Sequence, residues 1–206
     1  MMKKTPKLNT NPTKIKLANS IQNWEILTNQ SQNLELKLTG KNNLSFVQQD
    51  NSNLKILICV NQSEFELRLL VWQIGQNCRS EIKIWGKIGM KKIVKINICV
   101  FHLGQSGKSL QKSAFLVEGN LDLVGKIVIN GANCQGIFEN KNLLLDGIAR
   151  IEPFLEIYEL PEFCEHSTTT GSLEQESLQY LNSRGLNLEQ SKKLIISHFL
   201  AEFEKL

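Results

Sequence analysis

The sequence lacks any run approaching the ~18 consecutive apolar residues that a membrane-spanning helix needs. Its N-terminal charges have no apolar stretch behind them, so a secretory signal is not expected. C-x-x-C is absent, and the five cysteines (Cys59, Cys78, Cys99, Cys134, Cys164) are scattered and odd in number. That argues against a disulfide framework and for a reducing, cytoplasmic setting. There is no G-x-S-x-G, and the one close Cys–His pair is local in sequence, unlike papain-type pairing. A hydrolytic enzyme is therefore not expected.

Acidic charge is missing from the start of the chain. Lys3, Lys4, Lys7, Lys14 and Lys16 all precede the first carboxylate, Glu25, and outweigh the formal net charge of +4, leaving the rest of the chain close to neutral. This stretch also has no arginine and no aromatic residue for base stacking. Residues 1–20 are accordingly read as a basic, flexible arm in water, bound to neither nucleic acid nor membrane. Over its whole 206 residues the chain is 41% hydrophobic and 21% charged, enough for the core of one domain with a small appendage.

From residue 21 to about 163 the pattern is one of short strands. Leu34, Leu36 and Leu38 alternate with polar neighbours, as do Phe65, Leu67 and Leu69, then Ile82 and Ile84, and the runs 93–98 and 121–129. Glycines at 75, 86, 89, 104, 107, 119, 131 and 136 punctuate the series. Such alternation fits an antiparallel sandwich or a stacked β-solenoid, and no sharp sequence repeat separates the two. Cys59 and Cys99, inside apolar runs, are read as small core residues of strands.

The period then changes. Ser172-Leu173-Glu174-Gln175 and Asn187-Leu188-Glu189-Gln190 each have the form of a capping box, and Gly185 is placed to end the first helix in a left-handed cap. Leu194, Ile195, His198, Phe199 and Phe203 recur at helical spacing, making His198 a core or interface histidine. The expected organisation is an arm over 1–20, a β core over 21–170 and a small helical domain over 171–206.

The segment His102-Leu103-Gly104-Gln105-Ser106-Gly107-Lys108-Ser109 ends like a phosphate-binding P-loop. Only two residues separate Gly104 from Gly107, and a strand-like Ala114-Phe115-Leu116-Val117 follows where a helix is required. It is read as a turn between strands. Cys164-x-His166 is a stronger signal. Two residues apart in an extended chain share a face, and thiolate and imidazole both suit zinc, iron or an iron–sulfur cluster. No second pair with metal spacing accompanies them, so the ligand set is incomplete.

From about residue 140 to 203 the chain resembles the C-terminal half of the SufB/SufD family of iron–sulfur cluster assembly proteins. The resemblance rests on Asn142-Leu143-Leu144-Leu145, Pro153-x-Leu155-Glu156-Ile157, Cys164-x-His166-x-x-Thr169-x-Gly171, Tyr180-Leu181-x-Ser183-Arg184-Gly185 and Phe199. It implies a right-handed parallel β-helix followed by a small C-terminal helical domain. It also implies a SufB-like scaffold partner and a SufC-like ATPase that binds the nucleotide. The resemblance is closer to SufD, because His166 is followed by Ser167 rather than Glu and no Cys stands shortly before Pro153. The family usually has Gly-Ala where this chain has Ser167-Thr168, and the usual N-terminal helical region is mostly missing.

What the resemblance implies is a non-catalytic SufD-like subunit, not an enzyme. The isolated chain would hold no cofactor, while an iron–sulfur cluster or iron would pass transiently through an interface site using His166 and Cys164. Tyr180, Arg184, Gly185 and Phe199 are the expected partner-binding residues. The alternative is an adaptor β-helix, alone or paired with a second copy of itself, that recruits an ATPase without binding iron or sulfur. A zinc-dependent enzyme ranks last, for want of a third ligand and a water-activating base.

Overall fold

The computed structural model describes residues 12–61, 64–173 and 175–204. Twelve strands precede two helices: β1 (Thr13–Ala18), β2 (Ile21–Ile26), β3 (Ser31–Gln48), β4 (Asn53–Asn61), β5 (Phe65–Gln73), β6 (Arg79–Ile88), β7 (Ile93–His102), β8 (Lys108–Val117), β9 (Asn120–Ile129), β10 (Gln135–Leu144), β11 (Ile148–Ile157), β12 (Phe163–Ser172), α1 (Gln175–Ser183) and α2 (Leu188–Glu204). From β3 onward strands pair in parallel with those two places away, except that β3 and β4 pair directly, giving the order β11-β9-β7-β5-β3-β4-β6-β8-β10-β12 with β1 and β2 both on β3. The chain is thus a β-solenoid of about five turns with two sheet faces.

The long strand β3 belongs to both faces. Its first half pairs with β1 and β4, and its second half with β2 and β5. Between them Gly40 takes φ 65°, a left-handed conformation that lets one continuous strand turn the corner. Alternation does the rest. Leu34, Leu36, Ile56, Ile58, Ile82 and Ile84 project inward on one face, and Leu67, Leu69, Ile96, Ile98, Leu121 and Leu123 on the other; all are buried in one cluster. Burying one such side chain stabilises the fold by roughly 1.5–3 kcal/mol, so stacking rungs, rather than any single pair, holds the solenoid together.

A repeat absent from the letter pattern is present in the backbone. Asn29, Asn51, Asn77, Ser106 and Asn133 occupy one corner of successive turns, all with φ between 54° and 58°. Each donates its backbone N–H to the next rung: to Asp50, Gln76, Gln105, Ala132 and Leu160, at 2.8–3.1 Å. Asparagine tolerates this left-handed conformation better than other non-glycine residues.

Several expectations need correcting. The arm does not extend to residue 20: Thr13–Ala18 form β1, because Ile15 and Leu17 pack on the core while Lys14 faces out and pairs with Glu35 at 3.4 Å. Residues 1–11 lie outside the described residues. Cys59 is exposed, since Ile58 and Val60 take the inward positions on either side. Cys99 also has outward parity, but it is buried between Leu70 and Lys126 of the adjacent rungs. His198 is exposed, so it is not a core residue of this chain; among the described residues of α2, Ser191, Ile195, Ile196, Phe199 and Ala201 are turned inward. The side chain of Phe203 lies outside the described residues.

The helices form a hairpin that leans on β8 through α2. Asn187 Oδ1 accepts the Gln190 N–H and Gln190 Oε1 accepts the Asn187 N–H, both at 2.9 Å, completing the second capping box. The first falls partly on Glu174, outside the described residues, and Ser172 there is the last residue of β12. Gly185 (φ 90°) closes α1. Its N–H reaches the Asn182 carbonyl at 3.0 Å and the Leu186 N–H reaches that of Leu181 at 3.3 Å, a Schellman motif.

Candidate functional site

The last rung carries the residues of interest. β12 pairs with β10 alone, so its other edge has no neighbouring strand among the described residues. In register, Cys164 lies beside Gly136, His166 beside Phe138, Thr168 beside Asn140 and Thr170 beside Asn142. These four positions continue the inward-facing columns of the solenoid. Cys164 and His166, two residues apart, therefore project to the same side at its open end.

Their environments differ. Cys164 is half-buried and packs against the core cluster, with Sγ 3.3 Å from the place a Cβ on Gly136 would take. Burial pushes its thiol up, so the protonated form dominates near neutral pH until a cation or a base compensates. His166 is exposed at the edge. Glu165, beside Ile137, has the opposite parity and faces out. Among the described residues, no three His, Cys, Asp or Glu side chains gather closely enough to hold a metal ion. The Cys164–His166 pair offers two soft ligands and open space, which is half of a metal or cluster site.

Behind this edge the interior becomes polar, which sequence reasoning missed. Asn140 Nδ2 donates to Ser113 Oγ at 2.8 Å, Asn140 and Asn142 bond to each other, and Asn142 Nδ2 donates to Thr170 Oγ1 at 3.2 Å. Asn140 and Asn142 are buried, so each amide avoids a desolvation penalty only through this ladder. The signal was available only as the register Ser113–Asn140–Thr168, two unequal steps along the chain.

A second buried polar group sits deeper. His102, at the end of β7, places Nε2 2.8 Å from Ser109 Oγ on β8, across the turn that resembled a P-loop. Among the described residues its Nδ1 has no partner, and neither has Oε1 of the buried Gln73. Both atoms approach Gly107, at 2.8 and 2.5 Å from where its Cβ would lie, so no side chain fits there. Burial depresses the imidazole to about 4. Of the remaining cysteines, Cys78 and Cys134 are fully buried, with Sγ 3.3 Å from the carbonyls of Gly75 and Gly104 respectively.

The expected partner-binding residues sort by role. Gly185 is consumed by the helix cap described above. Tyr180 is exposed, with the Arg184 guanidinium 5.4 Å over its ring. Ser183 Oγ donates to the Tyr180 carbonyl at 2.7 Å, and Ser191 Oγ to Asn182 Oδ1 at 3.2 Å, which ties α2 to the end of α1. Phe199 is half-buried on the inner side of α2. Tyr180 and Arg184 thus remain as surface groups, while Gly185 and Phe199 shape the hairpin.

Comparison with known proteins places this geometry. The family model described as "SUF system FeS cluster assembly, SufBD core domain" matches residues 20–199. The iron–sulfur cluster assembly protein SufD of Escherichia coli (strain K12) is 35% identical over 88 residues, which is 38% of this chain and 21% of that protein. A SufBD family protein of Pyrococcus horikoshii is 32% identical over 99 residues, 47% of this chain and 22% of that one. Another from Galdieria sulphuraria is 25% identical over 109 residues, covering 50% and 49%. The matched stretch therefore spans between about a fifth and half of these relatives' own length.

Proposed function

The chain belongs to the SufBD core family, and from that premise we propose that it is a SufD-like, non-catalytic subunit of an iron–sulfur cluster assembly complex. In this reading it pairs with a SufB-like scaffold and a SufC-like ATPase in the cytoplasm. The observation that carries it is the placement of Cys164 and His166 side by side on the terminal, open-edged strand, without a third ligand among the described residues. A partner strand or loop docking at that edge supplies what the pair lacks.

The chemistry follows from the two environments. The cluster or its iron is cargo, delivered to or built at the interface. Exposed His166 offers an imidazole nitrogen without any change in the fold. Half-buried Cys164 must lose its proton to become a ligand, so loading at that position releases a proton and favours higher pH. Phe154 and Phe163, on the last two strands, are 46% and 45% exposed and provide apolar area for the docking itself. Among the described residues no helix is long and apolar enough to cross a membrane.

The test is co-expression with SufB-like and SufC-like partners and anaerobic purification. His166→Ala and His166→Thr are expected to leave the complex assembled and lower its iron and sulfide content. If both variants assemble and load like the parent, the site assignment fails. The exposed Phe154 and Phe163 also favour a second reading, an adaptor whose edge binds a partner, a second copy of itself included, without metal. Normal partner binding with cluster yield indifferent to both Cys164 and His166 selects that reading.

A further inference from the structure

On the outside of the solenoid, charge follows a rule with two exceptions, one of them beside a groove. Strands in register set a cation opposite a carboxylate: Lys14 with Glu35, Lys41 with Glu66, Lys55 with Glu81 and Lys112 with Glu139, at 2.7–3.4 Å. Arg79 and Lys108, opposite one another on β6 and β8, break it. Neither side chain has a hydrogen bond or ion pair among the described residues, and their Cα atoms stand only about 4.8 Å apart, the spacing of neighbouring strands. Like charges so placed repel unless something neutralises them. Lys83 opposite Lys112 is no parallel, because Glu81 and Glu139 neutralise them at 2.6 and 2.7 Å. Lys16 opposite Lys37 repeats the clash, but both lie on open surface.

Two surface grooves, of about 440 and 460 Å³, share Asn53, Arg79 and Lys108 in their walls. The second adds Asn51, Asn77 and Ser106, three members of the left-handed corner ladder. Asn77 Nδ2 donates to Asn51 Oδ1 at 3.2 Å, a bond that does not use the Asn51 amide hydrogens. One carboxylate, Glu162, lines the same groove without an ion pair to either cation among the described residues.

We propose that the Arg79–Lys108 corner is a binding site for a phosphate-type oxyanion. The fork of Arg79 matches two oxygens of such a group, Lys108 contributes a point charge from the next rung, and the side-chain amides donate to the remaining oxygens. Free phosphate and a phosphoryl group carried on a larger molecule share this chemistry. The site stands on the outer surface and is independent of Cys164 and His166.

The experiment is NMR titration of the isotopically labelled full chain with inorganic phosphate and, separately, with O-phosphoserine, against sodium chloride of equal ionic strength. Saturable shifts centred on Asn77, Arg79 and Lys108 are expected, weakened about tenfold or more in Arg79→Gln and in Lys108→Gln. Glu162→Gln is expected to tighten binding, and Lys16→Gln to leave it unchanged. A tighter O-phosphoserine response assigns the site to a carried phosphoryl group, and an equal response assigns it to the free ion. No saturable shift beyond the chloride control, or a response that survives Arg79→Gln, overturns the proposal. A response centred elsewhere overturns it as well. None of these outcomes depends on cluster loading, so it fails or stands apart from the proposed function.

Discussion

His102 makes the solenoid acid-sensitive, and the size of the effect can be worked from its surroundings. The ring is fully buried, bonds only to Ser109 Oγ at 2.8 Å, and faces no carboxylate that would stabilise its cation. Burial lowers its pKa from 6.5 to about 4. In the unfolded chain the same imidazole titrates at its ordinary value, so between those limits the unfolded state binds more protons than the folded one. Stability therefore rises with pH there: the contribution is fully present above the unfolded pKa and is lost as pH falls from 6.5 towards 4. At roughly 1.4 kcal/mol per unit, the gap amounts to about 3 kcal/mol. Carboxylates such as Glu81, held low by its bonds to Lys83 and Lys55 against the opposing effect of burial, lose stability mainly at the acid end, so a single curve is not diagnostic. The difference between parent and His102→Gln is. Glutamine continues the column of Gln48 and Gln73, which occupies the same register on the two preceding rungs. Urea denaturation from pH 4 to 7.5 should show the parent losing about 3 kcal/mol more than the variant. Parallel curves would refute the assignment of a neutral, buried imidazole.

Three other substitutions test the packing directly. Gly125→Ala puts a methyl group into the Phe138 ring, so a loss of about 1–3 kcal/mol is expected in urea denaturation, with Phe138→Leu in the same chain restoring part of it. Asn77→Ala forces alanine into φ 54° and should cost about 1–2 kcal/mol, whereas Asn77→Gly should cost far less, measured the same way. Asn187→Ala removes one half of the capping box; about 1 kcal/mol of protection should be lost from α2 amides in hydrogen exchange while the β8 amides keep theirs.

Much of the architecture was legible because it follows from local periodicity. Leu34–Leu38 and Phe65–Leu69 alternate, and they are strands; Asn187–Gln190 has capping chemistry, and it caps α2. The false P-loop was legible too, since two residues between glycines cannot wrap a phosphate, and the segment is a turn between β7 and β8. What escaped notice depends on register, which no window along the chain contains. The corner ladder was hidden because its members fall at 29, 51, 77, 106 and 133, unevenly spaced, and one of them is serine. β1 was hidden by its lysines, whose charges face solvent while Ile15 and Leu17 face the core. The burial of Asn140 and Asn142 was not legible because their partners, Ser113 and Thr170, lie a full turn away in each direction. The spacing of Cys164 and His166 was plain, but that they occupy an unpaired edge emerged only from the topology.

That edge also separates what the last rung owes to folding from what it owes to chemistry. Strands β3 to β10 are each covered on both edges, and their inner columns are rich in leucine, isoleucine and phenylalanine until polar residues enter at β8 and β10. β11, paired on one edge alone, keeps half-buried apolar residues such as Ile151 and Leu155. The final strand has no rung above it among the described residues, and its inner positions are Cys164, His166, Thr168, Thr170 and Ser172. A solvent-facing end of a stack requires side chains that tolerate water, and an edge strand with polar residues resists pairing with stray chains. The hydroxyls of Thr168, Thr170 and Ser172 are therefore accounted for by position alone, and Thr170 additionally terminates the buried amide ladder. Position does not account for Cys164: a half-buried site over Gly136 would be filled as well by valine or alanine. Nor does it select imidazole over another hydroxyl at 166. The argument for a shared site rests on these two residues only, and His166→Thr is the sharper variant because it completes the run of hydroxyls that the edge accepts and removes the ligand alone.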